Sequence, residues 1–212
     1  MSGTPKSNYE KMKDSMADVF LQYDQDKIID KFSLEHDSAY IYICFFGLTY
    51  GIDRHTGKVL RFTHSNSQDD ADYNEAMTIY DVLCYSKDGR LPSHEWVNIS
   101  SLSAVKSGFL TKSGDFFAGY SEYFSGKTEL LKIACESLGG RQADGGDTAY
   151  EMDMFPFLQV LLRFWDADDE FPPSLQILVD KNILDYMHYE TLMFAMTHML
   201  NRLRDEMNMI KK

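Results

Sequence analysis

The chain reads as an α+β protein: a single domain with an antiparallel or split mixed sheet flanked by four to five helices. Three observations predict this. Apolar residues recur at helical spacing at both ends of the chain, at Tyr9, Met12, Met16, Val19, Phe20 and Tyr23, and again from Tyr189 to Met207. Between them lie runs rich in β formers, bounded by Gly, Asp and Pro. No internal repeat or low-complexity linker divides the 212 residues.

The elements follow in order. Ser7-Asn8-Tyr9-Glu10 has the pattern of a capping box, so an N-terminal helix is expected over 7–24. A short second helix covers 26–32. Residues 39–62 read as a small antiparallel meander. Its first run, Ala39 to Phe46, is almost continuously apolar and suits a strand buried on both faces. Gly47 interrupts it, and His55-Thr56-Gly57 forms the next turn.

Asp69 to Tyr85 reads as a second long helix with acids in its first turn, where the helix dipole favours them. Asp88-Gly89 breaks the pattern. Glu95 to Ile99 is a short extended segment, and 100–126 follows no regular period. Thr128 to Leu138 is a helix stopped by Gly139-Gly140. Tyr150–Met154, Phe157–Trp165 and Leu175–Val179 read as strands. A long helix over 188–208 closes the chain. Met187, Met193, Met196, Met199 and Met207 crowd it, and at helical spacing they are expected to fill a core. His198 lies opposite its apolar stripe and is expected to face solvent.

Composition bounds the function. Hydrophobic residues make up 44% and aromatics 14% of the chain, enough apolar surface to outweigh chain entropy. The net charge of −12 repels phosphate backbones and anionic bilayers. Nucleic acid and membrane are therefore not expected as partners. The three cysteines, Cys44, Cys84 and Cys135, are far apart and form no CxxC. No local zinc or iron–sulfur ligand set is present, and the cofactor stays unassigned. Apolar neighbours predict buried free thiols in a reducing compartment. The N-terminus has no apolar signal core, so a cytoplasmic location is expected.

No nucleophile elbow, phosphate loop or dinucleotide fingerprint occurs. The six histidines show no i, i+4 pairing, and no catalytic residue is assigned. Two bends draw attention instead. In Asp144-Gly145-Gly146-Asp147, two carboxylates flank two glycines. They have the means to hold a cation or orient a polar ligand. The plainer alternative is a turn in which aspartate caps its own backbone and glycine supplies positive φ. The second bend, Asp166 to Ser174, lacks the glycine and glutamate a calcium loop requires and reads as a solvated hairpin tip. Within it Phe171-Pro172-Pro173 fixes an extended backbone and forms a rigid apolar ledge beside Trp165.

Taken together, these features resemble a known family. Gly139-Gly140, Asp144-Gly145 to Asp147, Phe164-Trp165, Asp168 to Ser174, Asp180 and Tyr186 match the pattern of an uncharacterised prokaryotic family, domain of unknown function 3786. Glu95-Trp96-Val97 and Asn8-Tyr9-Glu10 fit as well, and Asp169 to Ser174 is the most specific piece. The resemblance implies a setting in anaerobic bacteria and some archaea. Some relatives carry a cysteine-rich iron–sulfur segment of the kind seen beside corrinoid proteins, and these 212 residues contain none. The family pattern usually has proline at His188, so that histidine is given no role. The expected function is a noncatalytic binding module for a small ligand or a protein partner. Its candidate site is Asp144, Gly145, Gly146, Asp147, Trp165, Phe171, Pro172 and Pro173. One alternative is an enzyme using Asp144 or Asp147 as acid–base. Another is a structural or regulatory interaction protein.

Overall fold

The computed structural model describes residues 6–62, 68–102 and 117–210. Within them are six α-helices and two antiparallel sheets, which makes the fold α+β as expected. Most of the irregular tract at 100–126, from 103 to 116, lies outside the described residues, as does His64. Backbone contacts divide the chain into two compact units, 1–90 with 185–196, and 91–184 with 197–212. No helix among the described residues is long and apolar enough to cross a membrane.

The first unit opens with α1 (Asn8–Phe20). Ser7 caps it, its hydroxyl accepting from the Glu10 amide at 3.2 Å. The predicted stripe is buried only in part: Phe20 is fully covered, while Tyr9, Met12 and Tyr23 are exposed. Helix α2 (Gln25–Phe32) is capped by Asp24 in the same way.

The meander forms as read. Strands β1 (Tyr40–Phe45), β2 (Leu48–Asp53) and β3 (Val59–Phe62) pair in sequence, and β4 (Gln68–Asp70) adds an edge. Phe46 and Gly47, both at positive φ, make the two-residue turn between β1 and β2. One expectation fails here. Strand β1 is not buried on both faces: Ile41, Ile43 and Phe45 are buried, whereas Cys44 on the other face is exposed. Tyr40 and Tyr42 on that outer face meet Phe62 edge-on, at 5.4 and 5.6 Å between ring centres. An outer aromatic cluster thus lengthens the apolar run without a second core. Cys84 and Cys135 are buried free thiols as expected, and burial pushes the Cys84 thiol up to about 12; the same expectation fails for Cys44, which its place on the outer face of β1 leaves exposed.

Helix α3 (Tyr73–Tyr85) starts later than predicted, because Asp69 and Asp70 belong to β4. Its cap is Asp72, which accepts from the Glu75 amide at 2.8 Å while Glu75 accepts from the Asp72 amide at 2.7 Å. Glu75 is wholly buried. Its other oxygen accepts from the Tyr50 hydroxyl at 2.7 Å and from Arg61 at 3.1 Å. One carboxylate therefore ties β2 and β3 to the start of α3.

In the second unit β5 (Trp96–Asn98), β6 (Arg141–Gln142), β7 (Thr148–Phe155), β8 (Leu158–Trp165) and β9 (Ser174–Asp180) form a sheet in the order β5-β9-β8-β7-β6. Met152, Val160, Leu162, Phe164 and Ile177 are buried on one face. Helices α4 (Ala118–Phe124) and α5 (Thr128–Ser137) lie there: Phe124 meets Phe164 at 6.0 Å, and Tyr150 donates to Glu136 at 2.7 Å. Helix α5 ends in a Schellman pair, with Gly139 donating to the Glu136 carbonyl and Gly140 to the Cys135 carbonyl.

Helix α6 (Tyr189–Ile210) closes the chain. Its methionines 193, 196, 199 and 207 are buried core, as expected. His198 corrects the reading: it is 6% exposed, because the middle of α6 is covered on more than one side.

Arg61→Ala is expected to destabilise the chain by about 3 kcal/mol, since it leaves Glu75 buried with one cation fewer. Tyr50→Phe, which removes one hydrogen bond, is expected to cost about 1–2 kcal/mol. Urea unfolding followed by circular dichroism checks both, and the order of the two effects is the discriminating result.

Candidate functional site

The two predicted bends meet at one end of the five-stranded sheet. The Asp147 amide donates to the Phe164 carbonyl at 2.8 Å, and the Asp166 amide donates to the Asp147 carboxylate at 2.8 Å. Trp165 stands opposite Ser174 across the β8–β9 pair. The glycine–aspartate bend therefore sits beside the end of β8, from which the proline-bearing bend departs.

The bend requires both of its glycines. Gly146 has φ +70°, and a Cβ there would stand 2.5 Å from the Phe164 carbonyl oxygen. Gly145, at φ +111°, lies under the Arg163 side chain, whose Nε would be 2.8 Å from an added Cβ. That Nε is shielded from water and meets no acceptor among the described residues.

The aspartates here act mainly on the backbone. Asp166 accepts from Ser125 Oγ at 2.8 Å, from the Gly126 amide at 3.0 Å and from the Ala167 amide at 2.8 Å, fixing the α4–α5 junction to the sheet. Burial alone would raise its carboxyl, but these bonds outweigh it and hold the group below the ordinary carboxylate range. Asp168 accepts from the Glu170 and Phe171 amides at 2.8 and 2.7 Å. Asp144 and Asp147 are both exposed.

The apolar members of the rim remain open. Trp165 is 38% and Phe171 66% exposed; Pro172 is exposed and Pro173 half-buried. All eight predicted residues thus fall at one end of one sheet. The glycines and Asp147 build the turn, and Trp165 and Phe171 present apolar surface.

Two arrangements escaped the sequence reading. The first is a cradle around Asp180 at the other end of β9. Its carboxylate accepts from the Ser93 amide and hydroxyl, the His94 amide and the Asn182 amide, all within 2.8–3.0 Å. Burial would raise this carboxyl, yet the four donors hold it below the usual range. They also hold His94 at φ +58°, and Trp96 stands exposed beside it. His94, Trp96, Glu151 and Asp180 help to line a cavity of about 200 Å³. The second arrangement lies in the first unit, where buried Asp81 accepts from His188 Nδ1 at 2.6 Å and from the His188 amide at 2.7 Å. The His188 ring is exposed and meets Tyr85 edge-on at 5.7 Å. Partners 87 and 107 residues apart leave no local spacing to read.

The chain is an α+β protein in which Asp147, Asp166 and Asp168 of the rim serve turns while its rim aromatics stay open. The family model described as "Domain of unknown function (DUF3786)" matches residues 24–202, and the chain belongs to that family. The match runs through the meander, both bends and most of α6. No curated protein matches the chain, and no solved structure matches it.

Asp180 predicts an acid response with a definite sign. Its folded carboxyl titrates lower than in the unfolded chain, so its stabilisation is present above about pH 4 and is lost as pH falls through the folded value. Wild type is expected to lose stability on acidification from pH 5 to 3 more steeply than Asp180→Asn. The Asn variant is expected to be weaker at pH 7 by about 1–3 kcal/mol. Denaturant midpoints across that pH range measure both.

Proposed function

We propose that this chain is a noncatalytic cytoplasmic binding module of anaerobic metabolism, and that its recognition surface is the end of the five-stranded sheet bearing Trp165, Phe171, Pro172 and Pro173. One observation carries the reading. Asp147 and Asp168 at this rim are occupied in building turns, whereas Trp165 in part and Phe171 for the most part are left in water. Exposing an aromatic beside two prolines costs solvation, and rigid aromatic anchors are what recognition surfaces use. Of the two expected occupants, a small ligand and a protein partner, the geometry favours the protein. Trp165 and Phe171 stand open to solvent, and an exposed aromatic ledge suits a second surface.

The charge of −12 supports a partner that is neither nucleic acid nor an anionic membrane. The anaerobic setting rests on what the family resemblance implies. The alternative of an acid–base enzyme on Asp144 or Asp147 gains no support from their surroundings. A general base needs a partly dry pocket, and both groups are exposed.

Native mass spectrometry of the chain captured from an anaerobic host is the test. A stoichiometric protein partner is expected with wild type. Trp165→Ala and Phe171→Ala are expected to weaken its retention by about tenfold or more. Phe171→Ala is expected to stay within about 0.5 kcal/mol of wild type in folding stability, whereas Trp165→Ala, which removes the covered part of its ring, is expected to cost about 1–3 kcal/mol, and both are compared as folded protein. A partner held equally by both variants would place recognition elsewhere.

A further inference from the structure

We infer that the first unit carries a separate site for an organic cation, formed where α1, the start of α3 and the start of α6 come together. A cavity of about 480 Å³ opens there, lined by Tyr9, Asp72, Tyr73, Asn74, Glu190 and Phe194. That volume is in the range of small-molecule pockets.

Three rings make its wall. Tyr73 is central, with Tyr9 4.8 Å away and Phe194 5.6 Å away between ring centres. Tyr9 is 62% exposed although the helical stripe on which it lies buries Phe20 completely. The hydroxyl of Tyr73 points to Met12 Sδ at 3.6 Å, which sets that ring's place against α1. Burial raises the Tyr73 phenol, and Glu190 and Tyr9 add to this, so the ring stays neutral beside the acid.

Two carboxylates complete the lining. Asp72 uses Oδ1 as the cap of α3, and Glu190 lies in the first turn of α6. Neither meets a lysine or arginine at ion-pair distance among the described residues. Lys13, on the same helix as Tyr9, is engaged by Glu10 at 3.1 Å and the Ala71 carbonyl at 2.7 Å. Aromatic faces and carboxylates share one attraction, for positive charge. Three rings with only two acids suit an alkylated ammonium head, which needs ring faces more than hydrogen-bond acceptors. An anion is repelled, and a neutral apolar guest makes no use of the carboxylate charge.

The test titrates the full chain at low salt with choline, with its neutral carbon isostere 3,3-dimethylbutanol, and with ethanolamine, following amide signals by NMR. Choline is expected to shift residues 72–74 and 190–194 saturably, with the isostere binding about two- to thirtyfold more weakly, the range a cation–π contact supplies. Ethanolamine is expected to bind more weakly than choline. Tyr9→Ala and Glu190→Gln, both changes at exposed positions, are each expected to weaken choline at least about twofold, with melting unchanged. Equal binding of choline and the isostere, tighter binding of ethanolamine, shifts confined to other residues, or no saturable shift would each overturn the site. The rim variants Trp165→Ala and Phe171→Ala are expected to bind choline as wild type does, which separates this site from the partner surface.

Discussion

A carboxylate with no access to water holds the first unit in register. Glu75 accepts from an amide at the head of α3, a tyrosine hydroxyl on β2 and an arginine on β3. Burying such a charge is costly unless every lone pair finds a donor. The meander and the helix can therefore meet in few ways, since a slip of one residue would turn Tyr50 and Arg61 to the opposite face of the sheet. The cavity beside Tyr73 inherits this precision, because Asp72 and Tyr73 follow directly from the cap that Glu75 completes.

The second unit uses acids in a related way, at the ends of its sheet. Asp166 gathers the α4–α5 junction, Asp147 meets the chain leaving β8, Asp168 shapes the proline-bearing bend, and Asp180 gathers the turns around β9. A chain of net charge −12 would otherwise repel itself. Placing aspartates on backbone amides converts part of that repulsion into attachment. It also explains why the acid-rich bends read ambiguously: the residue types that hold cations are those that cap turns.

Much of the fold was legible because its signals are local. The Gly139-Gly140 stop, the Ser7 cap, the Gly47 interruption and the apolar runs of β7 to β9 each act within a few residues. The errors have local causes too. Asp69 and Asp70 look like an acidic first helical turn, yet they form β4, a three-residue strand whose exposed side chains give no alternating pattern. The true start of α3 was present as Asp72-x-x-Glu75, three residues further on. In β1 the outer tyrosines pack on Phe62, so apolar character on both faces suggested a second core. The two bends were legible as bends because glycine and proline mark backbone geometry directly. The Asp180 cradle, the Asp81–His188 pair and the Tyr73 cavity join distant segments, and no spacing along the chain encodes them.

The sheet borders carry a consequence for handling the protein. On the first sheet, β4 shows Gln68, Asp69 and Asp70 to water, and the free side of β1 is closed by the Glu35–Asp37 segment, through a bridge at His36 and a bond from Tyr42 to the Glu35 carbonyl. On the second, β6 is two residues long and carries Arg141 locked to Glu151 and Asp153. The fourth border, β5, is only three residues long, so no border among the described residues offers a long uncharged ladder on which another molecule can template. Concentrated solutions should accordingly resist fibril growth, and the aromatic-rich chain should tolerate the millimolar levels that magnetic-resonance work demands.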